Sequence, residues 1–191
     1  LLLAALSMLL LLSGCNTDTT ASESVAEPVS PMELTYATQF SVDKNANGCR
    51  LVTIANDRYL VVPEGITPPG DLDENIVLLQ QPLDNIYLVA TSAMDLFRAL
   101  DSWERVRLSG TDADGWYIPE AKQAIENGKM LYAGKYNAPD YERILSEGCN
   151  LAVESTMIYH TPEIKEQLER LGIPVLVERS SYESHPLGRL E

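Results

Sequence analysis

The stretch from residue 150 to 177 leaves this chain little choice of fold. Asn150-Leu151-Ala152-Val153-Glu154 reads as a strand. Thr161-Pro162-Glu163 then opens a helix, with a capping hydroxyl, a proline suited to the first helical position and an acid facing the positive end of the dipole. Ile164, Leu168 and Leu171 recur at helical spacing, Gly172 stops the helix, and Pro174-Val175-Leu176-Val177 starts a second strand. Two strands joined by a helix pair in parallel through a right-handed crossover. The same grammar occurs earlier. Ile86 to Ala90 is a continuous apolar run, as expected of a strand covered on both faces. Thr91 and Ser92 offer a helix cap, and Ala93, Met94, Leu96, Phe97 and Leu100 follow at helical spacing. Val106-Arg107-Leu108 suits a short strand, Pro119 opens a helix that Asn127-Gly128 ends, and Asp140 caps a short helix holding Ile144 and Leu145. The fold expected is α/β: a Rossmann-like, open, mostly parallel sheet flanked by helices.

The residues before this unit have a different period. Segments 34–42, 50–54 and 57–62 carry β character and predict an antiparallel elaboration ahead of the parallel sheet. Asn47-Gly48 sits between the first two, a pair that tolerates positive φ and marks a hairpin. The same residues, Asp43-x-Asn45-x-Asn47-Gly48, also match the start of a calcium loop. Such a loop needs a bidentate Glu at its twelfth position, where Ile54 stands, so the hairpin reading prevails. Pro68-Pro69-Gly70 marks an exposed turn.

The first residues are not part of this domain. Leu1 to Leu12 is almost wholly apolar and leads into Leu12-Ser13-Gly14-Cys15. A run of about a dozen apolar residues is too short to span a bilayer and suits the core of an export signal. The run into Cys15 resembles a lipobox, in which the cysteine is acylated and becomes the new N-terminus. Residues 1–15 are therefore expected to be a lipoprotein leader without its basic first part. Residues 16–33, rich in Thr, Ser, Ala, Glu and Pro, are expected to be a flexible tether. Residues 34–191 form the domain. Its cysteines, Cys49 and Cys149, have an oxidising compartment available after export, and spacing alone leaves open whether they pair. The chain has 28 acidic and 14 basic residues, a formal net charge of -14. That balance excludes a phosphate backbone as partner and excludes charge-driven adsorption to anionic lipid.

Motifs of covalent and phosphate chemistry are absent from the sequence. It has no Gly-x-Ser-x-Gly elbow, no Walker loop and no Gly-x-Gly-x-x-Gly. The two histidines, His160 and His185, lack a second ligand at a metal-binding spacing, and Asp112-x-Asp114-Gly115 reads most simply as an acidic turn. These absences remove the usual reasons to propose an enzyme; the chain is not read as one, and no catalytic residue, resident cofactor or metal is expected.

Four stretches in order carry a resemblance. They are Ile86 to Leu100, Asp140-Tyr141-Glu142-Arg143-Ile144-Leu145 before the strand at 150–154, Leu171-Gly172-Ile173-Pro174-Val175, and Glu183-Ser184-His185-Pro186-Leu187-Gly188-Arg189-x-Glu191. Together, behind a lipobox, they resemble the substrate-binding lipoproteins that capture ferric siderophores, haem or vitamin B12 for ABC importers. The family usually has Pro-Asp before the second of these strands, where this chain has Gly148-Cys149-Asn150. The resemblance implies a two-lobed periplasmic-binding-protein fold of which 34–191 is the N-terminal lobe, with the second lobe missing. It implies cargo that is an iron complex, haem or a cobalamin, an ABC permease as partner, and an extracytoplasmic lipid anchor to the cell membrane, in a periplasm or on the outer face of a Gram-positive membrane. It also places Glu142 on the outer tip of the lobe, facing arginines of the permease.

Ligands of open α/β sheets sit beyond the carboxyl ends of the strands. That rule selects Thr91 and Ser92, Ser155 and Thr156, and Ser181 and Tyr182, whose hydroxyls can bond an oxygen-rich chelate. Trp116, Tyr117 and Tyr136 lie in loops expected to reach the same edge, where aromatic faces suit a large flat ligand. For Trp116 and Tyr117 packing beneath a loop is an equal alternative, and for Ser92 helix capping is preferred to ligand contact. Arg189 suits an anionic ligand or a structural salt bridge. The rival readings are a surface-anchored α/β enzyme and an adhesive or structural surface lipoprotein.

Overall fold

The structure, a computed structural model, describes residues 30–191. The leader, Cys15 and the tether as far as residue 29 lie outside the described residues. Two five-stranded sheets organise the rest. The first contains β1 (Ser30–Pro31), β2 (Phe40–Lys44), β3 (Arg50–Ile54), β4 (Asp57–Val62) and β5 (Ile76–Gln80), in that order. It is antiparallel through β4, and β5 joins β4 in parallel. The hairpin at Asn47-Gly48 is present, with Lys44 paired to Arg50. The second sheet contains β6 (Ile86–Leu88), β7 (Val106–Ser109), β8 (Leu131–Tyr132), β11 (Ala152–Ser155) and β12 (Val175–Glu178). Between β8 and β11 stands a small hairpin of β9 (Gly134–Lys135) and β10 (Ala138–Pro139).

Every pair in the second sheet is parallel, and its order is β12-β11-β6-β7-β8. The chain winds outward from β6 to β8, returns past β6, and winds the other way through β11 and β12. The fold is thus mixed α/β, a parallel sheet flanked by helices with an antiparallel sheet ahead of it. Helices α1 (Met94–Ala99), α2 (Pro119–Glu126), α3 (Tyr141–Ser146) and α4 (Pro162–Arg170) supply the crossovers. Asp140 caps α3 by accepting the Arg143 N–H at 3.0 Å. Thr161 precedes α4 as expected, but its hydroxyl donates back to the Ile158 carbonyl instead of capping.

The two faces of the parallel sheet are covered differently. On one, Ile144 of α3 and Leu168 of α4 pack against Tyr87, Ala152, Val175 and Val177. Burying a side chain such as Leu168 contributes about 1.5–3 kcal/mol. On the other, α1 and α2 cover part of the face through Met94, Ala121 and Ala124, and the antiparallel sheet covers the remainder through Tyr59 and Leu79. That sheet therefore takes the place of helices over β11 and β12. It also closes an edge: the Val177 N–H of β12 donates to the Tyr59 hydroxyl at 3.1 Å, so one exposed backbone donor of the end strand is satisfied. Cys49 and Cys149 are both free and belong to different cores.

Candidate functional site

The reversal of strand order falls between β6 and β11. A cleft of about 280 Å3 opens beyond the carboxyl ends of β6, β7 and β8, to one side of that reversal, lined by Val89, Thr111, Asp112, Lys135 and Tyr136 among others. Tyr136 is carried by the tight hairpin of β9 and β10. Gly134 has φ of +86°, and a Cβ there would lie 2.2 Å from the Ala138 carbonyl, so only glycine lets the hairpin fold. Asp112 turns inward to accept the Gly115 N–H at 3.0 Å, which makes the acidic segment a turn. No group of three metal-ligating side chains occurs among the described residues.

The predicted site residues separate into three groups. Tyr136 lines the cleft, and Tyr117 stands fully exposed (100%) in the loop after β7. Trp116 belongs to the core: it is 7% exposed, and its Nε1–H donates to Ser109 Oγ at 3.1 Å and to the Thr111 carbonyl at 3.2 Å. The indole supports the cleft wall from beneath, which is the packing alternative. The second group ties loops together. Ser92 caps nothing; α1 begins without a side-chain cap, and Ser92 Oγ donates to Glu178 Oε2 at 2.9 Å across the intervening β11. Ser155 Oγ accepts the Met157 N–H, and Thr156 Oγ1 and the Tyr182 hydroxyl lie 2.8 Å apart. Arg179 stacks over the Tyr182 ring at 4.6 Å. Thr91 is exposed beside this network, as is Ser181. Glu142 is exposed in the first turn of α3, where a carboxylate favours the helix dipole.

Arg189 forms the third group and lies away from the cleft. It lines a second cavity, behind β12, and belongs to the segment from Glu183 to Glu191. That segment is a clasp. Glu191 accepts the N–H groups of Thr35, Tyr36 and Ala37, and Glu183 accepts those of Thr38 and Gln39 together with the Thr38 hydroxyl. His185 stacks on Tyr36 with ring centroids 4.6 Å apart, and a Cβ on Gly188 would lie 2.9 Å from the Tyr36 carbonyl. The residues of the fourth resembling stretch thus hold the bend at 35–39 in place. Residues 34–39 were expected to be strand; their N–H groups go to carboxylates, and the strand begins only at Phe40.

Sequence reasoning missed Glu154. It ends the buried run of β11 with 0% exposure, and neither carboxyl oxygen has a partner among the described residues. It shares a face with Ala152, one strand from Tyr87, and burial pushes its pKa up to about 8. Its one sequence signal is an acid inside an apolar strand.

No family model matches the chain, and no curated protein matches it. Among solved structures the chain is similar to one described as the crystal structure of holo-ViuP, at 15% identity and a TM-score of 0.39. The alignment covers 71% of this chain and 36% of that one, so the chain spans little more than a third of that protein's length. A likeness at this level carries nothing about ligand or partner.

Proposed function

We propose that this chain is the solute-binding component of an ABC importer, exported by its leader and anchored through Cys15. Its cargo is a small metal chelate of the ferric-siderophore, haem or cobalamin kind. The observation that carries the reading is the cleft beyond the carboxyl ends of β6, β7 and β8, lined by Tyr136, Lys135 and Thr111. The resemblance of four sequence stretches to that class of lipoprotein supports it. In this reading the chain binds and releases without making or breaking a bond. A second lobe closes over the cargo by hinge motion, the closed form meets the permease, and a separate subunit hydrolyses ATP.

The structure suggests a reporter for the test. Trp116 donates to the carbonyl of Thr111, and Thr111 lines the cleft. Cargo in the cleft therefore quenches tryptophan fluorescence. Titration of the complete mature protein with ferric siderophores, haem and cobalamin is expected to give saturable quenching at micromolar ligand or below for one class. Tyr136→Ala weakens that binding about tenfold, the scale of an aromatic anchor in an interface. Silence across the panel removes the metal-chelate assignment.

A further inference from the structure

The second cavity has about 250 Å3 of space and lies between α1, β12 and the antiparallel sheet. Its walls are Phe40, Val52, Ile54, Leu96 and Leu176. Protein interiors pack as densely as organic crystals, and voids larger than a water are few. Water gains little from walls of this kind, since it needs two to four polar partners. The clasp closes over one side, and the polar groups at the rim divide by type. The carboxylates are already occupied: Glu178 accepts from Ser92 Oγ and the Ser180 N–H, and Glu183 and Glu191 accept from the bend at 35–39. Arg179, also on the rim, donates to Gln39 Oε1 and lies over the Tyr182 ring, which leaves two donors without a protein partner. The Ser180 hydroxyl is buried with no partner among the described residues. Arg189 has no ion pair or side-chain hydrogen bond among them either. An apolar chamber with an unpaired guanidinium and an orphaned hydroxyl at its rim matches a molecule with an apolar tail and an anionic, hydrogen-bond-accepting head.

We propose that this cavity is a binding site for a small anionic amphiphile, with the tail between the layers and the head on Arg189 and Ser180. A medium-chain carboxylate is the simplest such molecule. The space is below the roughly 300–1,000 Å3 of sites for drug-sized ligands, so the tail is short. This site is separate from the edge cleft, and its test uses different probes and different variants.

The test is calorimetric titration of the full-length protein with octanoate, hexanoate and 1-octanol. Octanoate is expected to bind saturably with one site per chain. Each methylene removed from the tail weakens binding about fourfold, the equivalent of one buried CH2. Arg189→Gln weakens octanoate about tenfold, the low end for a charged hydrogen bond, and leaves 1-octanol unchanged. Leu96→Phe narrows the chamber and weakens both. Non-saturating uptake, equal affinity for octanoate and 1-octanol, or octanoate binding indifferent to Arg189→Gln would each overturn the proposal. Should Leu96→Phe fail to fold, as shown by circular dichroism, Arg189→Gln decides alone, because Arg189 is exposed.

Discussion

Glu154 shows how one side chain ties stability to pH. Unfolded, its carboxyl ionises near the ordinary value of 4.5; folded, burial holds the proton to about 8. Between those limits the unfolded chain has released a proton that the native state retains. Stability therefore falls as pH rises from about 4.5 to 8, and this group adds no further slope above or below. Glu154→Gln removes the slope. In urea unfolding, the variant's stability relative to the parent is expected to rise by on the order of 3 kcal/mol between pH 5 and pH 8. Parallel profiles for the two proteins would show that the carboxyl finds a partner at neutral pH. The residue was visible in the sequence only as an oddity, since its burial depends on α3 and α4 covering that face.

At the scale of elements, the clasp replaces a strand. The bend at 35–39 gives its N–H groups to two carboxylates and gains a stacked His185 in return. Backbone N–H groups of Thr35, Tyr36 and Ala37 hold the Glu191 carboxyl below the usual range. At Glu183, desolvation acts to raise the value, and the N–H groups of Gln39 and Thr38 outweigh it, so the net direction is again down. Carboxylates depressed on folding stabilise above their unfolded range, and that contribution is lost as pH falls through the folded values. These carboxylates therefore hold the bend more tightly at neutral pH than in acid. The double variant Glu183→Ala, Glu191→Ala is expected to speed amide exchange at 35–39 about tenfold or more at pH 7, while β11 and β12 stay protected. Unchanged exchange in that segment would mean that His185 stacking and packing suffice. The segment was mistaken for a strand because its composition fits one, and its acceptors lie 144 to 156 residues away.

At the scale of the whole molecule, two sheets and a reversal of strand order decide where chemistry can occur. The edge cleft lies at one place, the amphiphile chamber at another, and Glu142 on the exposed start of α3. If Glu142 meets the permease, its charge acts on encounter and register rather than on cargo affinity. Glu142→Ala in the complete protein is then expected to leave cargo affinity unchanged in titration and to slow cellular uptake roughly tenfold at limiting cargo. Uptake at the parent rate would assign the residue to the helix dipole alone.

Local physics wrote much of this fold into the sequence. The Asn47-Gly48 hairpin, the Asp140 cap, the proline starts of α2 and α4 and the apolar runs of β6, β11 and β12 depend on neighbours a few residues away. Those signals sufficed for a parallel sheet with a β elaboration ahead of it. They did not suffice for β5, whose apolar run Ile76–Gln80 becomes a strand by pairing with β4, nor for β8, too short to show a period. Nor could they rank the candidate residues. Trp116 and Tyr117 are adjacent, yet one is core and the other fully exposed, because Ser109 and Thr111 capture the indole N–H. Ser92 looks like a cap until β12 delivers Glu178 to it. Periodicity, caps and turns are set by short-range sterics and hydrogen bonds. The partner of a hydroxyl or carboxylate is set by which strands the tertiary structure brings side by side.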